Sequence, residues 1–224
     1  MRSMVAAAVL LIALGGIAHA ITIDGSLNDW DLNAVVFAGV DPNEADISDV
    51  YDIRNYAEVL GDSTMFFYFD LYDYQAPASG AAFAIYIDAD NNAATGYTFP
   101  YDIPVGADVR LWWKPEGESI GIGDVDIQTY NSGWVSSGDY CDAAWGVDPT
   151  DSFLFTEWKV PDSIITSDDG SFRWWAFYDN DDQDPDDFAP SDQDGVPGIT
   201  PEPGTVALLL VGFGFVVGRM RKFQ

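Results

Sequence analysis

Thr64-Met65-Phe66-Phe67-Tyr68-Phe69-Asp70-Leu71-Tyr72 is strongly β-forming, because aromatic side chains suit the pleated, half-buried surface of a strand. Phe83-Ala84-Ile85-Tyr86-Ile87-Asp88 follows as a short apolar run of the kind a buried strand shows. Residues 47–56, 109–114, 125–130, 153–160 and 172–178 read the same way, and Gly, Asp, Asn and Pro separate them. No helix-period segment of convincing length lies between residues 21 and 200, and no unit of 20–50 residues repeats. The expected fold is all-β: an antiparallel, jelly-roll-like β-sandwich over 21–178. Residues 179–200 are rich in Asp and Pro and poor in apolar side chains, so they read as an acidic linker, with a loosely folded metal loop as the competing reading.

The two ends read as sorting signals. Arg2, the apolar run 5–14 and the small-residue site Ala18-His19-Ala20 follow the order of a signal peptide over 1–20, with cleavage after Ala20. Its helix is too short to span a bilayer. At the other end, Pro201-Glu202-Pro203 precedes an apolar stretch over 204–218, and Arg219, Arg221 and Lys222 follow. As a helix that stretch reaches ~22 Å, against a hydrocarbon core of ~30 Å. The expectation is a short transmembrane helix within 201–224, with its basic end on the cytoplasmic side. A plain tail anchor is the competing reading.

Composition narrows the chemistry. The chain carries 37 acidic and 9 basic residues, and residues 21–200 hold 36 of the former and 5 of the latter. Such a charge repels nucleic acid and anionic lipid. It favours bound cations, with calcium the natural extracellular choice; solubility through charge alone is the plainer account. Cys141 is the only cysteine, so no internal disulfide forms. The single histidine, His19, lies in the signal, which removes His-based triads and the usual zinc sites from the domain. A carboxylate-only glycosidase stays formally open, yet the five glutamates of the domain show no acid/base pattern.

Two constellations stand out. In Asp88-Ala89-Asp90-Asn91-Asn92, side-chain oxygens at alternate positions can converge on calcium where a strand ends in a tight loop. The Gly and distal Glu of an EF-hand are absent, and an Asp/Asn-rich turn is the competing reading. Asp46 and Asp49 are candidate further ligands where their strand meets this loop, with a solvated strand edge as the competing reading. The second constellation is the set of eight tryptophans, all in the domain. Adjacent pairs on a strand point to opposite faces. One of Trp112 and Trp113, and one of Trp174 and Trp175, is therefore expected to face outward and stack on sugar, with core packing as the alternative use.

Two resemblances add to this reading. Pro201-Glu202-Pro203, the short apolar helix and the terminal Arg219 and Arg221 resemble the PEP-CTERM sorting signal. That resemblance implies an exosortase as partner and a stay in the inner membrane of a Gram-negative bacterium. Display at the cell surface or in an exopolysaccharide matrix would follow. Ile23-Asp24-Gly25-Ser26-Leu27-Asn28-Asp29-Trp30 resembles the opening of family-9-like carbohydrate-binding modules and DOMON-like domains. The segments 46–52, 65–70, 87–97, 106–108 and 157–161 resemble later motifs of those domains, in order. This implies a β-sandwich, often with structural calcium, and a sugar cleft between aromatic residues. The expected function is a non-catalytic, exported protein that contacts extracellular polysaccharide. A structural matrix protein with no specific ligand is the alternative.

Overall fold

A computed structural model describes residues 21–30, 35–42, 52–61, 63–73, 81–99, 104, 106–115, 121–148, 152–164, 171–179, 187–190 and 195–199. The two end signals lie outside them, and among the described residues no helix is long and apolar enough to cross a membrane. Eleven strands appear among the described residues, in chain order: β1 (Val35–Val40), β2 (Ile53–Leu60), β3 (Thr64–Leu71), β4 (Ala82–Asp88), β5 (Val109–Trp113), β6 (Gly121–Tyr130), β7 (Trp134–Val147), β8 (Leu154–Pro161), β9 (Ser171–Asp179), β10 (Asp187–Ala189) and β11 (Val196–Ile199). They form one antiparallel sheet in the order β1-β2-β3-β8-β7-β6-β5-β4-β9-β10, with β11 also on β9.

A twisted sheet of this many strands curls, and the curl creates the core. Met65, Phe67, Phe69 and Leu71 alternate along β3 and point to one side. Partners come from strands that are not their neighbours in the sheet. Phe67 meets Trp174 of β9 at 4.9 Å between ring centroids, and Phe69 meets Phe83 of β4 at 6.1 Å. Trp113 of β5 meets Trp158 of β8 at 5.9 Å. The two halves of the sheet thus face each other across one aromatic interior. A polar tie joins its ends: the buried Asp187 Oδ2 accepts the Ile53 N–H at 2.6 Å, linking β10 to the bulged start of β2.

That tie corrects the expected linker. β10 and β11 both lie within residues 179–200, and Phe188 packs on Phe177 at 4.6 Å. A few apolar residues among many aspartates suffice once β9 offers a template edge.

The outer face of β2, β3 and β8 is covered by residues 21–30. Ile21, Ile23 and Trp30 pack on Val59 and Phe66, while Leu27 and Trp30 pack on Ala57, Tyr68, Phe153 and Phe155. Gly146 permits this close approach, because a Cβ there would overlap the Gly25 carbonyl oxygen and the Phe155 ring. Gly146→Ala is expected to lift this segment and cost about 1–3 kcal/mol. The readout is a lower melting temperature together with faster proteolysis near residues 21–30.

Two glutamates among the described residues are buried in this framework. Glu58 lies inside the curl, where its Oε2 accepts the Trp174 indole N–H at 2.9 Å while Oε1 has no partner. Burial pushes its pKa to about 8, against the partial relief of that bond. Glu157 of β8 lies under residues 21–30. Its oxygens make no well-formed hydrogen bond, and burial raises its pKa to about 8 although the Asp24 and Gly25 N–H groups oppose the shift.

Candidate metal centre

β4 and β5 pair antiparallel, with Ile87 opposite Val109. The next position along each strand is therefore Asp88 on one and Asp108 on the other. The chain between them doubles back as a clamped loop. Tyr97 and Ala107 exchange backbone hydrogen bonds at 2.7 and 2.9 Å, and the Asp108 N–H reaches the Ile87 carbonyl at 2.8 Å. Gly96 and Gly106 adopt φ of 71° and 79° where the loop crosses itself, and a Cβ on either would strike backbone.

This clamp brings three carboxylates together. One oxygen from each of Asp88, Asp90 and Asp108 lies within 4.8 Å of the others. Asp88 is fully buried. Its Oδ1 accepts the Asn92 N–H at 2.9 Å, whereas its Oδ2 is buried without any hydrogen-bond partner. Burial raises its pKa to about 6, with Asp90 and Asp108 adding to the shift and Arg173 opposing it. Asp108 is raised in the same direction, first by burial and then by Asp90. An orphaned carboxylate oxygen beside two more carboxylates is costly in the absence of a cation. The donor set is all hard oxygen, which suits a hard cation rather than a soft metal.

Surrounding bonds hold the loop. Thr95 Oγ1 lies within 3.1 and 3.2 Å of the two Asp90 oxygens. The Asn92 side-chain oxygen accepts the Ala94 N–H at 3.1 Å, so this residue caps the turn. Arg173 of β9 donates to the Asn91 side chain at 2.8 Å and anchors the loop to the sheet.

The structure thus joins two of the expected ligands, Asp88 and Asp90, and turns the Asn92 side chain to backbone. Asp46 and Asp49 lie outside the described residues. Asp108 went unassigned in the sequence. The signal that finds it is the antiparallel pairing of the runs 83–88 and 109–113, which sets Asp108 beside Asp88.

The tryptophans follow strand alternation, but with more burial than expected. Trp113 fills the core and the half-buried Trp112 takes the outer face. Trp174 and Trp175 also take opposite faces, yet both are fully buried. The outward member of that pair is therefore corrected to a core residue: it packs with Ala84, Tyr86 and Phe177, and Gly195 lies close over its ring. Trp112 does not offer a bare face either. Arg110 Cζ sits 4.5 Å from its ring centroid and 4.7 Å from that of Trp134, held there by hydrogen bonds to Gln128 of 2.6 and 3.1 Å. No protein-family model, curated protein or solved structure gives a significant match to this chain.

Proposed function

We propose that this is an exported, non-catalytic surface or matrix protein whose sandwich-like β-domain is stabilised by calcium and contacts extracellular polysaccharide. The observation that carries the calcium part is the buried, unpartnered Asp88 Oδ2 beside Asp90 and Asp108. A divalent ion there would be held by those three carboxylates, join the ends of β4 and β5, and offset their mutual repulsion. The end signals support the rest: the signal-like 1–20 argues for export, and the Pro201-Glu202-Pro203 tail with its Arg219 and Arg221 argues for an exosortase and a transient membrane stay. The histidine-free domain supports a non-catalytic role.

Calcium at a hundred times its Kd adds about 2.7 kcal/mol. For a domain of this size that is a rise of roughly 5–10 °C in melting temperature. The measurement is a thermal melt of residues 21–200 with calcium and with chelator. Asp108→Asn is expected to abolish most of the difference. Identical melts with calcium and chelator would sink the calcium reading.

A further inference from the structure

We infer that removal of the signal completes the fold: the α-ammonium group freed at Ile21 pairs with the Asp29 carboxylate and pins residues 21–30 over the sheet. This rests on the export reading above, which places cleavage after Ala20, and it gives that cleavage a structural consequence.

Ile21 is buried, at 5% exposure, although it would open the mature chain. Chain ends are loose unless something ties them down. Here the Ile21 side chain is seated on Val59 and Phe66 of β2 and β3. The segment then returns on itself. Ser26 caps a one-turn 3₁₀ helix over Leu27–Asp29, its Oγ accepting the Asn28 N–H, and this turn carries Asp29 back to the start of the segment. The Asp29 Oδ2 accepts the Thr22 N–H at 2.6 Å. Its Oδ1 is buried and has no hydrogen-bond partner among the described residues. Successive backbone nitrogens lie at most ~3.7 Å apart, so the Ile21 nitrogen stands within about 6 Å of the Asp29 Oδ2. In the precursor that nitrogen is a neutral amide joined to Ala20. Cleavage turns it into a cation with three donors and cuts its tie to residue 20, so it can swing about the anchored Ile21 Cα toward Oδ1.

Charge favours the same contact. Residues 21–30 hold Asp24 and Asp29 and no basic side chain. Beneath them lies the buried Glu157 of β8, and the charges of Asp24 and Asp29 both act on it. Arg54 and Lys159, on the strands below, pair with Asp70 and Asp142. One ammonium at Ile21 therefore brings a cation to a group of acids, neutralises Asp29 and satisfies a buried oxygen. Folding and processing are thereby coupled: the uncleaved chain is the less stable form.

The test uses residues 21–200, which hold all the described strands, with three different N-termini: a free Ile21, an N-acetylated Ile21, and a Gly placed before Ile21. Chemical denaturation reads the unfolding equilibrium. The free form is expected to be roughly tenfold harder to unfold than the other two, the effect of one charge-assisted hydrogen bond. Limited proteolysis within residues 21–30 should be slowest in the free form. Asp29→Asn keeps an acceptor for the Thr22 N–H and removes the charge, so in that background the three forms should agree within about twofold. The comparison of termini needs no substitution, so it decides even where that variant fails to fold. Equal stabilities of the free and acetylated forms, or an advantage of the free form that persists in Asp29→Asn, overturn the inference and leave export standing. N-terminal sequencing of the exported chain is the separate check. An exported chain that begins at a residue other than Ile21 overturns the inference alone, whereas a chain retained with residues 1–20 attached overturns the export reading as well.

Discussion

Trp174→Ala is expected to bring the domain to the edge of unfolding. The indole is fully buried between Phe67 and Tyr56, at centroid distances of 4.9 and 6.0 Å. Truncating a buried Trp costs about 3–5 kcal/mol. Here a second loss follows, because the Glu58 Oε2 surrenders its only hydrogen-bond donor and the whole carboxyl becomes an unpaired polar group inside an aromatic core. An unsatisfied buried group adds about 1–3 kcal/mol. The sum rivals the total stability of many domains, about 5–15 kcal/mol. Chemical denaturation measures it, and Trp174→Phe separates the two contributions by retaining most of the volume while removing the donor. A surface control is Val135→Ala, at a position 56% exposed, where the change stays within about 0.5 kcal/mol. If Trp174→Ala melts within a degree of wild type, the curled packing of β9 against β3 is wrong.

The second large effect is a loss of stability as pH rises from about 4.5 to 8. Glu58 and Glu157 both ionise near 4.5 when unfolded and near 8 when folded. Below the lower value both states hold the proton, so the contribution to stability is fully present. Between the two values the unfolded chain releases protons that the folded chain retains, and stability falls with pH. Above the higher value both states are ionised and the full penalty of a buried charge remains. At about 1.4 kcal/mol per pH unit, each group can remove up to about 5 kcal/mol across the window. Glu58 carries the larger share, since fraying of residues 21–30 gives Glu157 a cheaper route to water. Glu58→Gln preserves an acceptor for the Trp174 indole and removes the titration. Its melting temperature should therefore decline less between pH 5 and 8 than that of wild type, by roughly 10 °C. High salt screens the acidic surface but not a buried carboxyl, so the difference between the two proteins persists at 1 M salt. Parallel pH profiles for wild type and Glu58→Gln would refute the assignment.

Strand type was legible wherever the local pattern was strong. The runs over 64–72, 83–88, 109–114, 125–130, 153–160 and 172–178 each correspond to a strand, because β-branched and aromatic side chains declare a pleated surface without help from elsewhere. β10 and β11 are short, and β7 is rich in exposed polar residues, so none of these three declared itself. Their pairing depends on a neighbour's edge. The Asp88 loop was legible as oxygen-rich, yet its third carboxylate was not, since Asp108 reaches Asp88 only through the antiparallel register of β4 and β5.

The amino-acid sequence by itself determined the all-β antiparallel character, the acidic surface, the absence of histidine chemistry and the position of the Asp88 loop. These rest on side-chain type and on spacing along the chain. The tertiary structure alone decided that residues 187–199 join the sheet, that Trp174 and Trp175 are both interior, that Asp108 completes the carboxylate cluster, and that Arg54, Asp70 and Trp30 share a cleft. Each of these depends on which strand lies beside which, and pairing partners far apart in sequence leave no periodic trace in either strand alone.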